Sequence, residues 1–353
     1  MIKIIHKNKR EIIAILVMIF LVNQSRLHGQ LNNTQSMTKS GTTAAQFLKI
    51  GVDARATAMG NAFTAMSGDV SSIFWNAAGM ANVQRLETIF VNNDWLAGVD
   101  FNYLGFAFPL RHVGVLGLSV TSLTVPDDKV RTVTKPEGTG EYWGAQDLAV
   151  NLSFAKKLTD KFSIGGNIKY IQQTIWHSYA NTIALDLGTL FITPFNDIRL
   201  GASLSNYGGE LHLTGRDQKL SVDPDLSNQG NVEFVNALYE TDAFPLPLIF
   251  RVGISGELLE TKLLRLSFGV DALHPNDNTE AVNAGLELAV RETFFIRGGH
   301  GNLFRKNAEE GIALGGGFHY RLRGTQAILR IDYSYVSFGR FKNVKRISIG
   351  IIL

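Results

Sequence analysis

The sequence predicts an all-β fold: a membrane-spanning, outer-membrane type β-barrel of about fourteen antiparallel strands, with a short N-terminal helical hatch. Three observations carry this reading. Long segments alternate apolar and polar residues; no apolar run after residue 22 is long enough for a membrane helix; and tight turns alternate with longer loops. Two-residue periodicity gives a strand one apolar and one polar face. A soluble sandwich shows it too, so strand length and loop pattern have to decide.

Residues 1–29 have the form of a secretory signal peptide. Lys3, Lys7, Lys9 and Arg10 make a positive start, Ile12 to Val22 are apolar, and Gly29 and Gln30 offer the junction. As a helix the apolar run reaches about 16 Å, short of a bilayer core of about 30 Å, so it does not read as an anchor. Residues 30–43, rich in Asn, Thr and Ser, read as a flexible lead. Residues 44–85 differ. Ala54, Ala58, Ala62 and Met66 recur four apart, which puts small residues on one helix face, and Ser71 or Ser72 is placed to cap a second helix running to Gly79. Small residues let a helix lie close to a wall, so this segment is the expected plug.

Residues 86–353 read as strand and turn to the end. Leu264, Leu266, Phe268, Val270 and Ala272 alternate with Arg265, Ser267, Gly269 and Asp271; Ala284, Leu286, Leu288 and Val290 oppose Asn283, Gly285 and Glu287. Fourteen such segments follow one another, at about 86–93, 101–109, 112–123, 145–157, 161–174, 179–193, 197–206, 246–257, 262–273, 279–291, 293–301, 309–322, 325–337 and 343–353. Most are longer than the soluble mean of about 5–6 residues and suit a tilted crossing of about 9–11. Connections after the even-numbered segments are tight, and those at 124–143 and 207–245 are long. An even count puts both barrel ends on the inner, short-turn rim, where an exported chain starts. The last segment alternates Ile347, Ile349, Ile351 and Leu353 against Arg346, Ser348 and Gly350, an ending that barrel-assembly machinery would read, though with Leu353 where a terminal aromatic is usual.

Closure leaves no unpaired edge in lipid, so apolar faces point outward to membrane lipid and polar faces inward. The inward set holds Lys169, Asp186, Arg199, Arg251, Arg265, Asp271, Glu287, Arg297, Arg330 and Asp332, so interior ion pairs are expected rather than a pore of one sign. Glycine is abundant at 35 residues against 8 prolines, which suits long strands with tight interior positions. With no cysteine, a lipidated N-terminus, disulfides and thiolate metal sites are excluded. The net charge of +3, with no basic stretch interleaved with aromatics, argues against a nucleic-acid partner. The histidines show no metal-ligand spacing, and no catalytic residue, metal site or cofactor is read from the sequence.

Segment 46–82, QFLKIGVDARATAMGNAFTAMSGDVSSIFWNAAGMAN, closely resembles the N-terminal motif of the PorV/PorQ family of Bacteroidota-type outer-membrane proteins, within the wider FadL-like barrel group. The motif falls on Phe47, Leu48, Ala54, Arg55, Met59, Gly60, Asp69, Asn76 and Gly79; Ala77 stands where the family usually has proline. The resemblance implies a fourteen-stranded barrel with an N-terminal hatch. It also implies association with type IX secretion, either receiving cargo from the translocon, as PorV-like members do, or acting at cargo attachment, as PorQ-like members do. On this reading the loops 124–143 and 207–245 bind the translocon or secreted cargo. The alternative is FadL-like transport of hydrophobic small molecules, with an apolar pocket beside the hatch lined by Phe63, Met66, Phe74 and Trp75.

Overall fold

A computed structural model describes residues 39–223, 234–306, 308–341 and 343–353. The signal peptide and most of the lead lie outside the described residues. The barrel strands are β1 (Glu87–Asp94), β2 (Asp100–Leu110), β3 (Gly114–Lys129), β4 (Tyr142–Lys157), β5 (Phe162–Ile175), β6 (Ser178–Ile192) and β7 (Arg199–Gly208). After a long connection follow β8 (Ile249–Glu260), β9 (Leu264–Pro275), β10 (Ala281–Val290), β11 (Phe294–Leu303), β12 (Ile312–Arg321), β13 (Ile328–Val336) and β14 (Val344–Ile352). Each pairs antiparallel with its sequence neighbours, and β1 pairs with β14 from Glu87↔Ile352 to Asp94↔Lys345. The sheet therefore closes on itself as a fourteen-stranded barrel, as the sequence predicts. Closure pairs every backbone group that would otherwise face lipid.

The two rims differ. One carries the short turns, such as 158–161 and 291–293, together with the start of β1 and the end of β14. The other carries the connections 130–141 and 209–248. The loop expected at 124–143 is shorter than the sequence suggests. The β3–β4 ladder slips after Val125 and resumes at Asp128↔Trp143 and Lys129↔Tyr142, so both strands project beyond the wall. The longer connection carries two short strand pairs, 210–212 with 243–245 and 219–222 with 235–238.

Outward positions such as Leu152, Ile168, Leu187 and Ile296 are exposed on the wall and meet lipid. Inward positions on β5 to β14 are mostly polar, but those on β1 to β3 are not. Ile89, Val91, Phe101 and Tyr103 point inward and are buried against Val52, Ile73 and Met80 of the preceding segment. That contact is why these strands can be apolar on their inner face.

Residues 43–86 run through the lumen, forming α1 (Ala54–Ala58), α2 (Ser72–Trp75) and two 3-10 turns at Gln46–Lys49 and Ala77–Asn82. The helix of the four-residue repeat is shorter than expected. Asp53 caps α1, its carboxylate accepting from the N–H groups of Arg55 and Ala56 at 3.2 Å. Gly60 and Asn61 then take left-handed φ of 64° and 66° and end it, so Ala62 and Met66 lie on a different segment. Ser71 stands at the N-cap of α2, but its hydroxyl donates to Asp69 instead of capping. That helix stops at Trp75, because Asn76 is extended.

Candidate functional site

The lumen and its hatch form the most elaborated site in the molecule. It is built on glycines. Inward positions on β5, β7, β9, β10 and β11 are Gly165, Gly201, Gly269, Gly285 and Gly299, each beside the hatch main chain. A Cβ on Gly285 would lie 2.2 Å from the Met59 carbonyl oxygen, on Gly201 2.4 Å from that of Thr64, and on Gly165 2.5 Å from the Ala77 carbonyl carbon. Non-bonded carbons settle at about 3.5–4.0 Å, so any side chain there would push the hatch off the wall. Gly60 answers from the hatch side, since a Cβ on it would meet the His300 backbone at 2.5 Å.

Where the two backbones come close, wall side chains bond to the hatch main chain. Asp271 accepts from Phe63 N at 2.8 Å, Thr64 N at 2.8 Å and Thr64 Oγ1 at 2.7 Å. Ser255 Oγ donates to Ala65 O at 2.9 Å, and Asn167 Nδ2 to Ile73 O at 2.8 Å. Ser348 Oγ accepts from Ala54 N at 2.8 Å. These bonds satisfy main-chain groups that short helices and turns leave unpaired.

A buried ion network adds charge complementarity. Glu287 accepts from Arg55 Nε at 2.8 Å, Arg55 Nη2 at 2.9 Å and Arg297 Nε at 2.7 Å. Arg297 Nη1 also donates to Asp332 at 2.6 Å, and Arg55 Nη1 to Asp69 at 2.8 Å. Arg55 thus joins the hatch to itself and to the wall. Lys169 pairs with Asp186 at 2.7 Å on the other side. Arg251 differs from the rest: its hydrogen bond goes to Ser205 Oγ at 3.1 Å and its guanidinium faces Trp75, 6.0 Å from the ring centroid. Removing one member of such a buried pair costs about 3–5 kcal/mol, because its partner is left as an uncompensated charge.

At the loop rim, Asp277 in the β9–β10 connection accepts from Thr43 Oγ1 at 2.8 Å, Gln46 Nε2 at 2.9 Å and Lys49 Nζ at 2.8 Å. Burial alone would raise its pKa, but these three donors hold it below the ordinary 3.8. On the exposed rim, a hydrogen bond from His177 keeps Asp217 below the usual carboxylate range, and His177 stacks on Trp176 with centroids 4.2 Å apart.

All nine motif residues lie on this path. Phe47 and Leu48 are buried among Ala149, Ile171 and Leu211 near the loop rim. Ala54 opens α1; Met59 and Gly60 fit against β10 and β11; Arg55 and Asp69 carry the ion pairs. Asn76 Nδ2 donates to Thr64 O at 2.8 Å and Thr189 O at 3.0 Å, while its oxygen accepts from Ala78 N and so caps the following 3-10 turn. Gly79 O accepts from Gly68 N at 3.2 Å.

Phe63, Met66 and Trp75 are buried and pack with Phe74 inside the hatch, the Phe74 and Trp75 rings edge to face at 4.9 Å. Met66 borders a cavity of about 320 Å³ toward the turn rim, lined also by Arg55, Asp69, Arg199, Arg265, His319 and Arg330. Trp75 borders a second, of about 160 Å³ toward the loop rim, with Lys49, Arg251, Arg305 and Glu310. Both are charged. An apolar groove of about 320 Å³ lies instead on the outer wall, between Phe250, Val252, Val282 and Phe304. Trp95, just beyond β1 at the loop rim, packs on Phe338 at 5.2 Å, with the Arg346 guanidinium 5.4 Å from its ring.

The sequence did not single out Asp277, nor the roles of Asp271, Ser255 and Asn167. Gly269 and Gly285 did read as inward positions on successive strands, and that recurrence was the one available signal of a close approach.

A closed antiparallel barrel filled by its own N-terminal segment defines the class: an outer-membrane β-barrel with an internal hatch. Over residues 32–189 the chain matches the family model of the type IX secretion system protein PorV, a span that includes the motif from Phe47 to Gly79. Solved structures agree on the fold. CymD, a monoaromatic hydrocarbon channel, superposes with a TM-score of 0.53 at 13% identity, covering 86% of this chain and 96% of its own. The toluene transporter TbuX of Ralstonia pickettii gives 0.50 at 14% identity, covering 86% and 97%. The toluene transporter TodX of Pseudomonas putida gives 0.50 at 10% identity with the same coverage. No curated protein sequence matches the chain.

Proposed function

We propose that this protein is a protein-binding component of the outer membrane, associated with type IX secretion or with surface attachment of its cargo. It works through the connections 130–141 and 209–248 rather than by conducting solute. The observation that carries this reading is the filled lumen. The hatch backbone is seated on wall glycines of several strands and held by the Arg55–Glu287–Arg297 network, and the two cavities it leaves are lined by charged groups. An apolar solute would have to displace buried ion pairs to pass, at several kcal/mol for each one broken. The type IX description of the matching family supports the same reading. The residues 44–85 act on this view as a plug, and the loop rim faces outward.

Purification of the tagged protein from native outer membrane, followed by mass spectrometry, is expected to recover type IX components. Recovery of none, together with uptake of a hydrophobic tracer that depends on this protein, would replace this reading with the transporter one. Deletion of 44–83 is expected to raise single-channel conductance; an unchanged conductance refutes the plug.

A further inference from the structure

The cavity on the loop side of the hatch, of about 160 Å³, is bordered by donors that nothing in the described chain satisfies. Arg251 on β8 is 4% exposed, and its one hydrogen bond runs from Nη1 to Ser205 Oγ at 3.1 Å. Its Nε has no partner, and it forms no ion pair among the described residues. Trp75, whose ring faces that guanidinium, is 3% exposed, and its indole N–H is equally unpartnered. Arg55 and Arg297, by contrast, each bond to two carboxylates. The other cations of the cavity are balanced. Lys49 is bonded to Asp277. Arg305 is attracted by Glu310, whose two oxygens accept from Asn61 Nδ2 at 2.7 Å and Asn302 Nδ2 at 3.1 Å. One positive charge is left unmatched, at Arg251. A buried charge without a counter-charge destabilises the fold, and a ligand that brings one removes that cost.

We propose that this cavity is a binding site for a single carboxylate on a short polar stem, held by the Arg251 guanidinium and the Trp75 N–H. The planar fork of arginine matches the two oxygens of a carboxylate. One unmatched cation calls for a monoanion, not for a doubly charged phosphate. A water molecule takes about 30 Å³ of liquid, so the space suits a group of a few heavy atoms. Asn61, Asn278 and Asn283 line it as well and favour a polar stem over an acyl chain. Such a carboxylate is carried by a free small acid or by the end of a peptide chain entering from the loop rim. The inference does not depend on the partner proposed above, since a carboxylate of either origin meets the same two donors.

The test is isothermal titration of the detergent-purified full protein with acetate, triglycine, triglycine amide, phosphate and octanoate. Acetate and triglycine are expected to bind, and triglycine amide is not. Arg251→Gln should weaken binding by about tenfold or more, the loss of a charge-assisted hydrogen bond. Trp75→Phe keeps the ring but removes the N–H, and should weaken binding several-fold; it decides alone if Arg251→Gln does not fold. Tighter binding of triglycine than of acetate assigns the site to a peptide end, and the reverse to a free acid. Failure of both to bind overturns the proposal. So does binding that the two variants leave unchanged, or a preference for phosphate or octanoate over both carboxylates.

Discussion

Gly285→Ala tests whether the wall glycines seat the hatch. The new Cβ would stand 2.2 Å from the Met59 carbonyl oxygen and 2.6 Å from Met59 Cβ. Ordinary contact needs about 3.5 Å, so roughly 1 Å of movement is required. Gly285 is held in the ladder on both sides, opposite Gly269 and Gly299. The hatch therefore has to give. Forcing one methyl into such a contact costs about 1–3 kcal/mol. Gly299→Ala presses the same residue from the next strand, 2.2 Å from the Met59 carbonyl carbon. The double variant should cost less than the sum, since one displacement relieves both clashes. Gly298→Ala is the control: it faces outward, with its nearest neighbour at 3.5 Å. The assay is amide hydrogen exchange on the detergent-purified protein. Protection at residues 54–61 should fall by roughly 5- to 150-fold in Gly285→Ala, the equivalent of 1–3 kcal/mol, and stay unchanged in Gly298→Ala. Equal exchange in the two variants would refute the argument.

Three further outcomes follow from the same contacts. Glu287→Ala removes the carboxylate shared by Arg55 and Arg297, leaving the first with Asp69 and the second with Asp332, and should lower stability in urea by about 3–5 kcal/mol. Arg265→Ala should cost far less, because Arg265 is part exposed and divides its contacts between Glu287 and Glu292; equal losses would contradict the network. The grip of Asp277 on the hatch should be fully present above its ordinary value of 3.8 and be lost only as pH falls through its lower folded value. Limited proteolysis near residue 43 should therefore be flat from neutral to mildly acid pH and rise only in stronger acid; a rise near pH 6 would point to another group. Ala77→Pro should be neutral or stabilise by up to about 1 kcal/mol, because Ala77 opens a 3-10 turn and Asn76 before it is extended at φ −161° and ψ 104°, as a residue preceding proline must be. A loss of more than that in thermal unfolding would show that the Ala77 site rejects the family's usual residue.

Much of the wall was legible because its signal is local. A strand crossing lipid alternates whatever its neighbours do, so fourteen segments could be counted without knowing how they pair. The outer ends of β3 and β4 were not legible: Pro126, Asp127 and Asp128 look like a turn, and only the ladder resuming at Asp128↔Trp143 makes them strand. The inner face of β1 and β2 reversed the rule for a non-local reason, since Ile89, Val91, Phe101 and Tyr103 answer apolar hatch residues. In the hatch, spacing showed the small residues but not the left-handed Gly60 and Asn61 that end α1. Arg55 stood in the motif, yet its partner Glu287 lies more than two hundred positions away. Asp277 sits in Pro275-Asn276-Asp277-Asn278, which reads simply as a turn, and its role exists only once the hatch entrance comes beside it.

The seam between β1 and β14 carries a consequence for assembly. Its ladder joins the first strand of the wall to the fourteenth, so it forms only after all fourteen strands are present. Contacts between sequence-distant residues are slow, because the loop they close must be ordered first. The hatch precedes β1 and touches strands across the sheet. Threading it through a finished cylinder would mean forcing the hatch main chain past wall glycines that admit no extra atom, whereas an open, curling sheet can wrap around it. The same segment that fills the mature lumen is thus available as the mandrel on which the last strands wind.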